Sequence, residues 1–299
     1  MHIFTICIAF KLYICASETQ TNSIFFTETM TKIKGNSVLI TGGASGIGRL
    51  MGRMALEKGA RCLIIWDINE DAIARTQIEF QKLGRVEGYQ VDVSNADGVQ
   101  LQFERTEKEC GPVDIVINCA GIVTGNQTFD RLPEEYIRRT MNINALAPMY
   151  IARQALSGML NRNRGHICNI ASAAGMISNP KMSVYVASKW AVIGWSDSVR
   201  IELKTSGKDV HVTTVAPYYI NTGMFDGVTS RIFPILDPER TAAKIIRAIE
   251  HNRDFKGIPW GFHFIRFWQG LLPTSWFDII FGKWFGIFSA MDHFTGRKH

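Results

Sequence analysis

The sequence has few cysteines, and no spacing links them. None of the six forms a C-x-x-C pair, and several lie inside apolar, strand-like runs: Cys7, Cys15, Cys62, Cys110, Cys119 and Cys168. This pattern favours reduced, buried thiols over a disulfide framework or a zinc site. The seven histidines show no ligand spacing either. The sequence therefore predicts no metal site and a reducing compartment, the cytoplasm.

Concentrated positive charge is also absent. The net charge is +6, and Lys and Arg are scattered rather than gathered in a stripe. A nucleic-acid-binding face needs such a stripe and a docking element, so we expect no nucleic-acid partner. No Pro- or Ser-rich linker, low-complexity run or internal repeat interrupts residues 35–255. We therefore predict one large domain there, between segments 1–34 and 256–299.

The N-terminal segment supports more than one interpretation. Residues 3–15 are apolar, but Lys11 interrupts them and the run is too short to span a bilayer. A secretory signal would carry Lys or Arg before its apolar run, and none is present. Three interpretations stay open: translation that begins at Met30, a leader that dips into a membrane, and a cleaved signal.

The C-terminal segment is rich in aromatic residues. Thirteen Phe and Trp residues lie between Phe255 and Phe294, in runs at 258–273 and 275–291. Each run is too short and too charged to span a membrane. The composition suits a helix in the membrane interface, a cap over an apolar substrate pocket, or ordinary packing and a dimer contact. We expect peripheral membrane contact as one possibility and a homo-oligomer as another.

A glycine-rich loop follows the first predicted strand, 37–41. Gly42, Gly46 and Gly48 lie in it, and apolar residues at helical spacing come next. Glycine permits the tight turn and the close approach of the backbone to a pyrophosphate, which the helix N-terminus then binds. Asp67 ends the second strand, 19 residues after Gly48. A carboxylate there would bind the adenosine ribose hydroxyls and repel a 2′-phosphate, so we expect NAD rather than NADP.

The strand pattern predicts an α/β fold with a doubly wound, parallel, Rossmann-type sheet. Six strands alternate with helical stretches, at 37–41, 61–66, 87–91, 113–118, 165–170 and 210–215. The carboxyl ends of such strands form the ligand crevice. Asp92 and Val93 would frame the adenine there, and the run from Asn118 to Gly121 would lie beside the cofactor.

Three residues form a candidate catalytic set. Tyr185 and Lys189 are one helical turn apart, and Ser172 follows an apolar strand 13 residues before Tyr185. Hydride transfer needs a group that takes or returns the alcohol proton. A phenol has an ordinary pKa of about 10, so a close cation such as Lys189 must favour the phenolate. Ser172 would hold the substrate oxygen while Tyr185 exchanges its proton.

These motifs resemble those of the short-chain dehydrogenase/reductase family over residues 35 to about 250. The resemblance implies that Lys189 also binds the nicotinamide ribose and that an asparagine holds a relay water. Asn142 and Asn144 both compete for that role, and Asn144 aligns better. The candidate cofactor-binding residues are then Thr41, Gly42, Ser45, Gly46, Ile47, Gly48, Asp67, Asp92, Val93, Asn118, Ala120, Gly121, Tyr185, Lys189, Pro217 and Thr222.

The branch of that family is suggested by residues 63–69 and 217–225, which look like those of membrane-associated retinol and 17-beta-hydroxysteroid dehydrogenases. Cys119 replaces the second asparagine of the usual Asn-Asn-Ala-Gly, and Tyr218 replaces the usual glycine after Pro217. We expect hydride transfer between NAD(H) and a lipophilic alcohol or carbonyl compound: a retinoid, a steroid or an acyl chain. An NADP-dependent reductase of small ketones and a non-catalytic dinucleotide-binding scaffold are the alternatives.

Overall fold

A parallel sheet of seven strands forms the centre of the protein in a computed structural model that describes residues 30–230 and 233–296. The strands are β1 (Ser37–Thr41), β2 (Cys62–Asp67), β3 (Val86–Gln90), β4 (Ile115–Asn118), β5 (Gly165–Ile170), β6 (Val210–Pro217) and β7 (Phe255–Ile258). Their order in the sheet is β3-β2-β1-β4-β5-β6-β7. The order reverses between β1 and β4, where an open α/β sheet forms its ligand crevice. The predicted Rossmann-type fold is confirmed.

The sheet is covered on both faces by helices. They are α1 (Gly46–Glu57), α2 (Glu70–Phe80), α3 (Ala96–Cys110), α4 (Glu134–Met141), α5 (Ala147–Asn161), α6 (Ser183–Thr205), α7 (Pro238–Glu250), α8 (Ile265–Leu271) and α9 (Thr274–Phe277). A π-helical turn, Asn142–Leu146, joins α4 to α5, and a second, Asp278–Trp284, follows α9. Pro148 lacks an N–H group and cannot bond to the Asn144 carbonyl, which explains why the regular helix is interrupted there.

Alternate residues of the strands pack into separate cores on the two faces. Leu39 belongs to a core that includes residues of α3 and α5, whereas Val38 and Ile40 belong to a core that includes residues of α1 and α7. Successive strand side chains point to opposite faces, so a sheet buried on both sides needs continuous apolar strands. This is why β1, β2 and β4 are almost wholly apolar.

The seventh strand was not among the six that the sequence predicts. β7 pairs in parallel with β6, and it contains Lys256 and Gly257 at the edge of the sheet. Its four residues carry too little apolar alternation to indicate a strand on their own. The domain boundary predicted between residues 255 and 256 consequently falls inside a strand.

The aromatic extension is joined to the sheet domain by a shared core. Phe262, Ile265 and Phe277 are buried in one cluster with Ala171 and Met176, which follow β5. Buried aromatic and aliphatic side chains each stabilise a fold by roughly 1.5–3 kcal/mol. The extension is therefore an integral part of the fold, so removing it would expose the residues around the end of β5.

The described part of the N-terminal segment also contacts the core. Ile33 is buried beside α1 and α7, and Thr31 Oγ1 lies 2.9 Å from His166 Nδ1. The three interpretations of residues 1–29 concern a segment outside the described residues. Across residues 30–230 and 233–296, no helix combines the length and the apolar character needed to cross a bilayer.

Candidate active site

The glycine-rich loop between β1 and α1 forms one end of a crevice of about 380 Å³ at the carboxyl edge of the sheet. Gly42 has a φ of +65°, in the left-handed region that favours glycine. A Cβ atom on Gly48 would lie 2.2 Å from the carbonyl oxygen of Gly42. The loop and α1 can therefore approach each other this closely only if residue 48 is glycine.

The first turn of α1 directs hydrogen-bond donors at the crevice. Ser45 is the N-cap residue, but its side chain makes no capping bond, and the first turn has no acidic residue. Ser45, Gly46 and Ile47 all line the crevice. The first N–H groups of a helix have no partner within it, and the positive end of the helix dipole lies there. These residues fit the pyrophosphate of a dinucleotide.

Asp67 lies at the end of β2, on the wall of the same crevice. Its Oδ2 accepts a hydrogen bond from the Ala44 N–H at 3.1 Å, and its Oδ1 accepts one from the Asn69 N–H at 3.2 Å. The carboxylate is thereby held next to the glycine-rich loop. Arg49, the basic residue nearest to the loop in sequence, forms an ion pair with Glu79.

Ser172, Tyr185 and Lys189 come together further along the crevice. Ser172 follows β5, and its Oγ accepts a hydrogen bond from the Ala174 N–H at 3.1 Å. Lys189 Nζ donates to the carbonyl oxygen of Ile170 at 2.9 Å. It also lies 5.7 Å from the centre of the Tyr185 ring. Two separate elements, β5 and α6, thus bring a hydroxyl, a phenol and an ammonium group to one place.

Burial controls the protonation of the two titratable members of this set. It raises the pKa of Tyr185 to about 12, and the Ser172 hydroxyl opposes that rise only in part. Burial also lowers the pKa of Lys189 to about 8. A close cation such as Lys189 was expected to favour the phenolate, but in the protein alone desolvation is the largest influence on the pKa of Tyr185. In the protein without a cofactor, this raised pKa favours the neutral phenol near pH 7.

Asn144 fixes the backbone beside this set from the π-helical turn. Its Oδ1 accepts from the Ile122 N–H at 2.8 Å, and its Nδ2 donates to the Ile122 carbonyl at 2.9 Å. A Cβ atom on Gly121 would lie 3.4 Å from Asn144 Oδ1 and 3.7 Å from Lys189 Nζ. Asn144 is therefore close to Lys189, although it is buried behind the crevice wall.

Two other candidates also lie behind that wall rather than on it. Thr41 Oγ1 accepts hydrogen bonds from the N–H groups of Cys119 and Ala120, both at 3.1 Å. Asn118 Nδ2 donates to Asn169 Oδ1 at 2.8 Å. Both side chains are almost fully buried. These bonds position the loop after β4, and a direct contact of Thr41 or Asn118 with a cofactor stays a prediction.

The remaining candidates line the crevice: Gly42, Ser45, Gly46, Ile47, Gly48, Asp67, Asp92, Val93, Ala120, Gly121, Pro217 and Thr222. The structure adds wall residues that belong to no motif, among them Arg139, Ile143, Tyr218, Ile220, Met224 and Phe225. Most of these follow β6 or lie on the helix before Asn144. The sequence singled out Tyr218 by its departure from glycine and the segment 217–225 by its likeness to the branch, whereas no pattern indicated Arg139 or Ile143.

The sheet order and the glycine-lined crevice define a Rossmann-type protein. Residues 36–232 match the family model described as short chain dehydrogenase. The chain belongs to the short chain dehydrogenase family of oxidoreductases.

Comparison with curated proteins agrees with the predicted branch of the family. Epidermal retinol dehydrogenase 2 of Mus musculus is 36% identical over 272 residues, covering 89% of this chain and 87% of the relative. The 17-beta-hydroxysteroid dehydrogenase 13 of Mus musculus is 33% identical over 237 residues, covering 79% of this chain and 77% of the relative. The resemblance to this branch is confirmed.

Solved structures show the same fold. A short chain dehydrogenase/reductase from Burkholderia phymatum, in complex with NAD, superimposes with a TM-score of 0.73 at 24% identity, over 85% of this chain and 97% of that one. Levodione reductase superimposes with a TM-score of 0.69 at 21% identity, over 75% and 96%. At these identities the likeness concerns the fold alone.

Proposed function

We propose that this protein is an NAD-linked dehydrogenase that moves a hydride between NAD(H) and an alcohol or carbonyl group of a lipophilic substrate. The observation that carries this proposal is one shared crevice. It contains the glycine-rich loop at one end and Ser172, Tyr185 and Lys189 further along. Its volume of about 380 Å³ lies within the range of ligand pockets.

The cofactor, when bound, supplies or accepts the hydride; the residues of the chain handle the proton. Ser172 Oγ faces the Tyr185 phenol and would hold the substrate oxygen. The neutral phenol donates its proton to that oxygen during reduction and recovers it during oxidation. Lys189 beside the ring stabilises the phenolate that remains after donation, because a nearby positive charge favours the ionised form.

The preference for NAD rests on Asp67. Its carboxylate lies where the ribose hydroxyls of the adenosine would bind, and a 2′-phosphate there would meet a like charge. A basic residue would be needed to accommodate a 2′-phosphate. Among the described residues that line the crevice, Arg139 and Lys189 are basic, and Lys189 belongs to the proposed catalytic set. The relatives named for retinol and 17-beta-hydroxysteroid dehydrogenation support a lipophilic substrate.

A membrane surface is the partner we propose for the exposed aromatic rings of the extension. Six aromatic residues of the extension are exposed, and we call them together the aromatic face: Trp260, Phe264, Phe267, Trp268, Trp276 and Trp284. An apolar surface of this kind on a single chain favours association with something that covers it. Tryptophan-rich short helices suit the headgroup region of a bilayer. A second copy of the chain would cover the face equally well and would make a homo-oligomer.

The proposal is tested by comparing Tyr185→Phe with a matched control, Tyr150→Phe. Tyr150 lies on α5 and packs against the core outside the crevice. NADH formation from NAD and long-chain secondary alcohols is followed for both variants and the wild type. Removal of the catalytic hydroxyl should lower kcat by a factor of about 10²–10⁴. NADH binding, measured by its fluorescence, should persist.

Tyr150→Phe should keep nearly full activity. Tyr185→Phe with activity close to the wild type would contradict the assigned role. Binding of NADH by the wild type without turnover of any alcohol or carbonyl compound would instead support the non-catalytic scaffold.

A further inference from the structure

A second cavity, of about 420 Å³, lies between the aromatic extension and the sheet domain. We call it the extension cavity. Phe262, Ile265, Ile280 and Phe281 form much of its wall. Among the described residues that line it, none is charged. Trp268 lines the cavity and is 41% exposed, so the cavity reaches the surface at the aromatic face.

A narrow space of about 40 Å³ lies between this cavity and the crevice. It shares Ser172, Tyr185 and Phe225 with the crevice. It shares Phe262 and Ile287 with the extension cavity. The three spaces therefore follow one another from the catalytic hydroxyls into the extension.

Tyr218 is the residue common to all three spaces. Its ring lies 4.6 Å from that of Tyr219 and 5.6 Å from that of Phe262, centre to centre. Its hydroxyl donates to Ser230 Oγ at 3.1 Å, which holds the ring in place. The Tyr218 ring therefore narrows the passage between the crevice and the extension cavity.

We propose that the extension cavity binds the apolar end of a chain-like substrate, whose alcohol or carbonyl carbon lies at Ser172 and Tyr185. This inference rests on the proposed function and adds the shape of the substrate. We expect a flexible apolar chain to pass beside Tyr218 more readily than a rigid fused-ring system, because the connecting space is only about 40 Å³. The uncharged wall stabilises only an apolar group, because a buried polar group without a partner is unfavourable.

The test compares 2-butanol with 2-dodecanol as substrates, together with a fused-ring alcohol, estradiol. Each methylene that enters the extension cavity should raise kcat/KM by about fourfold, which corresponds to about 0.8 kcal/mol. The wild type should therefore prefer 2-dodecanol to 2-butanol by at least a hundredfold. It should turn over estradiol more slowly than 2-dodecanol.

Separate substitutions at two adjacent residues then show whether the preference for the longer alcohol arises in the extension cavity. Ile280 lines the extension cavity, whereas Ile279 is 42% exposed and does not line it. Ile280→Trp fills the cavity and should lower the ratio of kcat/KM for 2-dodecanol to that for 2-butanol at least tenfold. Ile279→Trp adds the same ring outside and should leave that ratio at the wild-type value.

The inference and the proposed function fail in different ways. Turnover of both alcohols with a ratio that Ile280→Trp leaves unchanged overturns the inference and supports the function. Faster turnover of estradiol than of 2-dodecanol also overturns it.

If the wild type turns over neither alcohol, the proposed function fails, and binding of 2-dodecanone then decides the inference. A rise in Tm with this ketone for the wild type and Ile279→Trp, but not for Ile280→Trp, supports the cavity; an equal rise in all three overturns it.

Discussion

The crevice and the extension cavity have similar volumes but are built in opposite ways. Glycines, the carboxylates of Asp67 and Asp92, and the candidate catalytic set line much of the crevice, and most of them belong to motifs with a defined spacing. Large aromatic and aliphatic residues line the extension cavity, with no comparable motif. Close backbone approach and proton transfer allow few alternatives, whereas an apolar wall can be built from many residue combinations. Substrate choice is therefore expected to reside in the extension, and chemistry in the crevice.

The largest difference between the crevice and the extension should appear when one methyl group is added to each region. Gly48→Ala places a Cβ atom 2.2 Å from the Gly42 carbonyl oxygen, so the loop must move. We expect at least a hundredfold loss of NADH affinity and a lower Tm. Gly270→Ala, in α8 of the extension, meets nothing within 4 Å and should raise stability by roughly 0.5–1 kcal/mol. Fluorescence titration and thermal unfolding measure both effects. Equal NADH affinity in the two variants would contradict the assigned phosphate loop.

The next contrast is between a buried charge in the crevice and the uncharged extension cavity. The pKa of Lys189 is lowered from 10.5 to about 8 by burial. Because the unfolded chain binds this proton more tightly, the contribution of Lys189 to stability falls as the pH is lowered through that range. Between pH 10 and pH 8 the loss is about 2 kcal/mol, from about 1.4 kcal/mol for each pKa unit.

The opposite shift at Tyr185 acts mainly above pH 10, since its pKa is raised from 10.0 to about 12. Burial also raises the pKa values of the Cys62, Cys119 and Cys168 thiols from 9.0, so these groups oppose the effect of Lys189 between pH 8 and pH 10. They are common to wild type and Lys189→Met, so the difference between the two proteins reports on Lys189. Urea unfolding of wild type and Lys189→Met, without cofactor, measures the difference. The variant should lose this part of the pH dependence; parallel pH profiles for the two proteins would contradict the assignment.

Cofactor choice should respond to one carboxylate at the crevice. Asp67→Asn removes the charge that opposes a 2′-phosphate, so the preference for NAD over NADP should fall by about tenfold, or about 1.4 kcal/mol. Asp71→Asn, in the first turn of α2, removes an equal charge that does not line the crevice. It should leave the preference unchanged. The measurement is kcat/KM with each cofactor, and a wild type that prefers NADP would favour the alternative reductase.

The smallest effects are expected at the surface of the extension. Trp276 and Trp284 are 64% and 72% exposed, whereas Trp190, on α6, is 44% exposed and lies outside the extension. Replacing Trp276 and Trp284 together by serine should weaken co-sedimentation with phosphatidylcholine vesicles severalfold, and Trp190→Ser should not. Point substitutions are preferable to truncation near Phe255, because β7 and the buried Phe262 lie beyond it.

If the wild type does not sediment with vesicles, the membrane proposal is wrong. Analytical ultracentrifugation then shows whether a second copy covers the face: the wild type would be a dimer, and the double variant would dissociate more readily.

The sequence alone determined the sheet and the chemical identity of the crevice. Apolar runs such as residues 38–40 must be buried on both sides of the sheet. Gly48 and the Tyr185–Lys189 spacing meet geometric demands within a few residues of the chain. These are local constraints, so they are readable from a single sequence. The short edge strand β7 lacked such a pattern, because its stability comes from pairing with β6.

Only the tertiary structure decided which residues line the crevice and which lie behind its wall. Thr41, Asn118 and Asn144 carry the motif but lie behind the wall, where their side chains bond to backbone groups or to another asparagine. Packing likewise raised the pKa of Tyr185, because desolvation depends on every element that surrounds the ring. The extension cavity is lined by residues that lie far apart in sequence, among them Ile177, Tyr218 and Ile280. No local sequence pattern could therefore reveal it.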